Sequence, residues 1–296
     1  QSACQPKRQS ERLTVASAGR ISSLDPALAS TTGVLQILSA LGDTLYIRGT
    51  NGKLQPQLAA SKPQLSDDGL SLTIPLRRDV LFHDGTRFDA KAMAFSLKRF
   101  LRIGSQRYLL NDRIAEIETP SPFELRLRLK QPSSSFESLL TSPYLTPVSP
   151  KAYADHADRF LNDRFIGTGP YILNSFRNTQ QRLLPFRQYW GDPPNNVGLD
   201  LINLSNSTAL FGALISGEVD VLLSDSIDED QKRALSERAD KTLLRESKGP
   251  AMNITFVTLR TNSPPMQSQT VRRALAHSLD RRLISARVSY SQREPL

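Results

Sequence analysis

The chain has 296 residues, 39% hydrophobic and 23% charged, a balance that fits about two folded domains and excludes collagen-like, disordered and membrane-embedded classes. Lys and Arg number 38 against 29 Asp and Glu, a net charge of +9, but the basic residues are scattered and only 7% of residues are aromatic, so no nucleic-acid partner is expected. Cys4 is the single cysteine, which rules out an intrachain disulfide and a cysteine-based metal site, and His83, His156 and His277 lie far apart with no HExxH spacing; no metal and no cofactor are expected.

The chain begins Gln1-Ser2-Ala3-Cys4 and continues in a polar run to Arg12. Small residues before a lone Cys resemble the end of a bacterial lipoprotein signal, which implies lipidation of Cys4 and a flexible tether over residues 1–12. Leu13 to Ala18 predicts a strand, and Ser23-Leu24-Asp25-Pro26 a turn. Val34, Leu38, Leu41 and Leu45 fall at helical spacing and predict a helix over 34–45. Asn51-Gly52 marks a tight turn. Leu70, Leu72, Ile74 and Leu76 alternate with polar residues and predict a strand, placed at a sheet edge because Pro75 has no N–H to donate. Asp89 is expected to cap a helix over 90–103 that buries Met93, Leu97, Phe100 and Leu101. Phe123, Leu125, Leu127 and Leu129 alternate with charged residues and predict another strand. Residues 46–164 therefore read as a strand-and-helix module of their own.

In the second half, Gly167 and Gly169 are expected to adopt backbone angles closed to other residues. Tyr189 and Trp190 are expected in core packing, and His83, in the turn Phe82-His83-Asp84-Gly85, as a surface hydrogen-bonding residue rather than an acid or base. Residues 199–223 predict a βαβ unit. Its helix, 207–216, turns Leu210, Phe211 and Leu214 inward and ends at Gly217, before a strand over 219–223. One helix is expected over 270–288, with Val271, Leu275, Leu279 and Leu283 along one side.

Five segments in order carry a resemblance. They are LGDTLY at 41–46, followed by Gly52, Pro56 and Leu58-Ala59; the stretch 67–99; FIGTGPYIL at 165–173 with Gln188-Tyr189-Trp190; ALISGEVDVLL at 213–223; and Pro264-Pro265 with VRRALAHSLDRRLI at 271–284. Together they resemble family five of the extracellular solute-binding proteins, the peptide- and nickel-binding components of ABC importers. The resemblance implies a periplasmic-binding-protein-like α/β fold. A first lobe would comprise 13–45 and 165–262, with 46–164 its extra α+β subdomain. A second lobe would start at 263–296 and be incomplete.

The resemblance also implies a non-enzymatic, extracytoplasmic protein that binds peptides between two lobes and docks on importer membrane subunits. The alternatives are a nickel complex or other small solute as ligand, or a single-lobe module that binds a partner. Its ligand wall would use Ser30, Thr31 and Thr32 from one loop, Asn253, Thr255 and Phe256 from a strand, and Tyr108 from the subdomain. Ordinary capping ahead of Val34 accounts equally for the Ser/Thr loop. No GxSxG elbow, phosphate-binding loop or metal-ligand cluster is present, so no catalytic residue is expected.

Overall fold

The computed structural model describes residues 12–18, 20–29, 31–49, 52–223, 227–239, 244–247 and 256–289. Its elements in order are β1 (Leu13–Ala18), α1 (Thr32–Leu41), β2 (Tyr46–Arg48), β3 (Leu54–Pro56), β4 (Gln64–Leu65), β5 (Ser71–Pro75), α2 (Ala90–Ile103), α3 (Tyr108–Asn111), β6 (Ile114–Ser121), β7 (Glu124–Leu129), α4 (Phe136–Leu139), α5 (Pro150–Tyr153), β8 (Tyr171–Arg177), β9 (Gln180–Pro185), β10 (Leu199–Leu204), α6 (Ser207–Ile215), β11 (Val221–Leu222), α7 (Glu229–Ala239), α8 (Gln269–Ser278) and α9 (Arg281–Ser289). The chain divides into two compact units, Gln1–Ser226 and Ile227–Leu296.

The first unit holds a five-stranded sheet in the order β11-β1-β10-β9-β8. β1 runs parallel to both β10 and β11, and β9 pairs antiparallel with β10 and β8. β10, α6 and β11 form the predicted βαβ crossover, which passes over β1. α6 buries Leu210 and Ala213, whereas Phe211 and Leu214 are only half-buried, and β11 is two residues rather than five. Gly217, at φ +75°, ends the helix turn as expected. Arg12 is held against the sheet, its Nη2 donating to Leu183 O at 2.8 Å and its Nε lying 3.4 Å from Asp200 Oδ1.

A four-stranded antiparallel sheet, β4-β5-β7-β6, forms the second layer of this unit. Leu72, Ile74, Leu125 and Leu127 point from it into a core shared with Met93, Leu97 and Phe100 of α2. Asp89 caps α2, its Oδ1 accepting from Ala92 N at 2.8 Å. The edge position expected for β5 is wrong. β5 lies between β4 and β7, and Pro75 is tolerated because its pairing with Glu124 is of the non-hydrogen-bonded kind: the ladder bond there is Leu76 N to Phe123 O, at 2.9 Å. β4 pairs only with Leu72 and Thr73, so it stops short of the proline.

A second core gathers Val34, Leu38 and Leu41 of α1 with Ile21, Leu24, Val148, Tyr153 and Phe165. α1 stops at Leu41 rather than Leu45, because Gly42 is extended. Leu45 continues the helical spacing but is buried in the other core. Gly167 and Gly169 do not have the left-handed angles expected of them. They are required by crowding: a Cβ on Gly167 would lie 2.2 Å from Phe165 Cε1, and one on Gly169 would lie 2.4 Å from Gly42 N.

The second unit contains α7, α8 and α9. The single helix expected over 270–288 is broken at Leu279, which is extended (φ −88°, ψ 104°). Asp280 starts a new helix there, its Oδ1 accepting from Leu283 N at 2.9 Å, so a local cap outcompetes continuation.

Candidate functional site

Two buried polar clusters hold the layers of the first unit together. In one, Arg99 of α2 and Asp25 of the 23–28 turn are almost wholly inaccessible to solvent, at 3% and 0%. Arg99 Nη1 donates to Asp25 Oδ1 at 2.8 Å and Nη2 to Oδ2 at 2.6 Å. Asp25 also accepts from Ala27 N at 3.0 Å and Leu161 N at 2.8 Å, and the guanidinium stacks over Tyr153 at 5.1 Å. The turn at Asp25 was legible in the sequence; its ion pair, across 74 residues, was not.

The other cluster centres on Asp43, 1% exposed. Its Oδ1 accepts from Gln57 Nε2 at 2.8 Å and Tyr189 OH at 3.0 Å, and its Oδ2 from Thr168 Oγ1 and Trp190 Nε1, both at 2.9 Å. Two of the five ordered segments, 41–46 and 165–173 with its downstream 188–190, thus meet at one carboxylate. Burial raises its pKa against the opposing pull of the Trp190, Thr168 and Tyr189 donors. Tyr189 and Trp190 are therefore more than packing residues. Trp190 is half-buried against the core, and Arg77 lies over its ring at 4.2 Å.

His83 is not a surface residue. Its backbone N donates to Gly167 O at 2.8 Å, its Nε2 lies 3.0 Å from Gly169 O, and its Nδ1 lies 3.4 Å from Gly167 N. Those partners require the neutral ring with the proton on Nε2. The ring also meets Phe186 edge-on, with centroids 5.1 Å apart. Burial, outweighing Gly169 O and Asp84, lowers its pKa to about 4.

The remaining polar feature lies where the parallel strands end. In open α/β sheets ligands sit outside the carboxyl ends of the strands, where connections diverge to opposite sides. Here that point is the end of β1, between β10 and β11. The first turn of α1 stands over it: a Cβ on Gly33 would lie 4.0 Å from Ser17 Oγ. Ser17 Oγ accepts from Asn203 Nδ2 at 2.9 Å. Asn203 Oδ1 is buried with no hydrogen-bond partner among the described residues. Asn206 caps α6, accepting from Ala209 N at 2.7 Å, and Thr31 caps α1, accepting from Val34 N at 3.4 Å. Neither helix has an acidic residue in its first turn, so both positive ends face this wall without an internal counter-charge.

Of the expected ligand residues, Thr31 is at this wall and also serves the capping role. Tyr108 starts α3 and is 62% exposed. Phe256, in the second unit, is 77% exposed. Thr32 is the first residue of α1; its side chain, with Ser30, Asn253 and Thr255, lies outside the described residues, as does Cys4. Sequence reasoning missed Ser17 and Asn203. The only available signal was an Asn inside the apolar run of β10. Among the described residues no three His, Cys, Asp or Glu gather to hold a metal ion, and no helix is long and apolar enough to cross a membrane.

A mixed sheet whose parallel strands end openly, joined to a separate antiparallel layer, defines an α/β lobe with an added subdomain. The family model for bacterial extracellular solute-binding proteins, family 5 (middle), matches residues 53–296, and the chain belongs to that family, one of solute-binding proteins rather than enzymes. The glutathione-binding protein GsiB of Escherichia coli O1:K1 is 28% identical over 277 residues, covering 92% of this chain and 52% of GsiB. The probable D,D-dipeptide-binding periplasmic protein DdpA of E. coli K12 is 28% identical over 228 residues, covering 75% of this chain and 43% of DdpA. NikA from Brucella suis, solved with Fe(III)-EDTA, superposes with a TM-score of 0.77 at 23% identity, over 95% of this chain and 56% of NikA. The chain spans about half the length of the curated relatives it matches.

Proposed function

We propose that this chain supplies one wall of the ligand cleft in an extracytoplasmic substrate-binding component of an ABC importer, and that its ligand is a peptide. Membership of family 5 supports the class, and the names of GsiB and DdpA support the ligand. The observation that carries the reading is the buried, unpartnered Asn203 Oδ1 beside Ser17 at the carboxyl end of the parallel strands. A buried carbonyl without a donor is costly; Asn203 Oδ1 is closed to solvent in this structure, so a peptide N–H supplies that donor once the side chain turns outward. The two helix N-termini favour a carboxylate of the same ligand.

On this reading residues 13–45 and 165–262 form the first lobe, 46–164 its subdomain and 263–296 the start of the second lobe. Thr31, with Ser30 and Thr32, faces the ligand together with Ser17 and Asn203; Tyr108 of the subdomain is a further candidate, and Asn253, Thr255 and Phe256 are candidates from the segment that follows the first unit. Closure of two lobes then traps the peptide, because the ligand touches both and favours the closed state. Cys4 carries a lipid that holds the protein at the outer face of the cytoplasmic membrane, where importer subunits take up the closed form. Calorimetry with a panel of di- and tripeptides tests the ligand class. We expect binding that Asn203→Ala weakens by about tenfold, on the order of 1–2 kcal/mol; peptide affinity unchanged by that substitution overturns the wall. Membrane fractionation of Cys4→Ser in the host tests the anchor, with release expected and equal retention counting against it.

A further inference from the structure

In the five-stranded sheet two buried amides point their oxygens at one another. Gln181 of β9 is 0% exposed, and its Oε1 has no hydrogen-bond partner among the described residues; Asn203 Oδ1 is in the same position. Residues opposite each other on adjacent strands share a face, as do residues two apart on one strand. Gln181 stands opposite Leu201, and Leu201 lies two residues before Asn203 on β10. Both amides therefore stand on the face that carries Leu183 and Leu201 into the core with α1. They are diagonal neighbours across the β9–β10 pair, a spacing of about 7 Å.

The nitrogens fix where the oxygens go. Asn203 Nδ2 donates to Ser17 Oγ of β1 at 2.9 Å, so Oδ1 turns away from β1, towards β9. Gln181 Nε2 donates to Arg177 O of β8, so Oε1 turns away from β8, towards β10. In the strand order β1-β10-β9-β8 the two oxygens thus face each other over the seam between β10 and β9. Gln181 cannot exchange its oxygen and nitrogen without loss, because Arg177 O can only accept. Two opposed carbonyls repel, and a buried acceptor without a donor costs free energy.

We propose that a single water molecule binds in this seam, donating one O–H to Asn203 Oδ1 and the other to Gln181 Oε1. Water matches two acceptors with two donors. It also brings no net charge among the leucines, where a cation would need a balancing carboxylate. Buried waters make about two to four such bonds to groups left unsatisfied by the protein. The bridge makes Gln181 a positioning residue for Asn203, holding that side chain inward in the ligand-free protein. This role rests on the ligand-wall reading: turning Asn203 outward to a peptide N–H breaks one of the two bonds to the water, so Gln181 sets part of the cost of that turn.

A high-resolution crystal structure of the ligand-free chain tests the site. We expect one density peak about 2.8 Å from both oxygens. A seam without density, or an Asn203 amide rotated so that Nδ2 donates directly to Gln181 Oε1, overturns the proposal. Urea unfolding of Gln181→Leu tests the bridge in solution. In the native background this substitution strands Asn203 Oδ1; in the Asn203→Leu background that cost is already gone. The unfolding constant should therefore change at least about threefold less in the second background than in the first. Equal changes, or a larger one beside Asn203→Leu, overturn the bridge. Calorimetry tests the positioning role. Only the free state loses the bridge, so Gln181→Leu should tighten peptide binding by about threefold; unchanged or weaker binding overturns that role. A chain that holds the water yet binds no peptide refutes the ligand wall and upholds the water site.

Discussion

The buried junction between the two sheets and the wall at the end of β1 use polar groups in opposite ways. At the junction the carboxylates are saturated, although Arg99 Nε is buried without a partner among the described residues. The carboxylate of Asp25 receives two bonds from Arg99 and two from backbone N–H groups, and that of Asp43 receives four side-chain donors. At the wall, Asn203 Oδ1 is buried and unspent, and the capping bond of Thr31 is long at 3.4 Å. A satisfied network rigidifies and specifies one arrangement, whereas an unspent one keeps bonding capacity for a ligand. Substitutions at the junction should therefore register in stability, and substitutions at the wall in binding.

The strongest way to break this contrast is Arg99→Ala. It leaves Asp25 buried without its charge partner and should cost about 3–5 kcal/mol in urea unfolding. The double variant with Asp25→Ala should be far from additive, because the two side chains act as one unit; additive losses would mean that the pair is not coupled.

Acid is the next test. His83 is held neutral with a folded pKa of about 4, below the roughly 6.5 of a free imidazole. A depressed histidine pKa means that the unfolded chain binds the proton more readily. Its contribution is complete above about pH 6.5, falls as pH drops from there towards 4, and then levels off. The loss is on the order of 2–3 kcal/mol. Melting curves from pH 7 to 4 should show it, and His83→Gln should flatten the slope in that window.

Trp190→Phe keeps most of the ring but removes one donor to Asp43, so about 1–3 kcal/mol should be lost. Gly169→Ala should cost a similar amount through the clash with the Gly42 backbone. Thermal denaturation resolves both. The smallest stability effect is expected at the wall. Asn203→Leu removes an unpartnered buried carbonyl together with its bond to Ser17, so unfolding should change by less than about 1 kcal/mol while peptide binding falls. A large loss of stability at Asn203 with intact binding would reverse the assignment of roles.

Much of this architecture was legible in the residues alone. The alternation at 70–76 and 123–129, the Asp89 cap of α2 and the βαβ unit at 199–223 all rest on near-neighbour periodicity and local capping, which any chain with those residues must respect. Resemblance in five ordered segments carried the family. What the tertiary structure decided was where equally apolar or polar residues go once distant segments meet. Leu45 keeps helical spacing with Leu41 yet belongs to another core, and Asp280 breaks a helix that periodicity would continue. Gly167 and Gly169 answer to crowding rather than to backbone angle. Asp25, Asp43 and His83 look like ordinary turn and loop residues in sequence. Their partners, Arg99, Trp190 and Gly169, lie between 74 and 147 residues away. Local pattern determines which elements form, because their hydrogen bonds are short-range. The pairing of buried charges and the exposure of a strand end depend on desolvation by the whole fold, which no local pattern encodes.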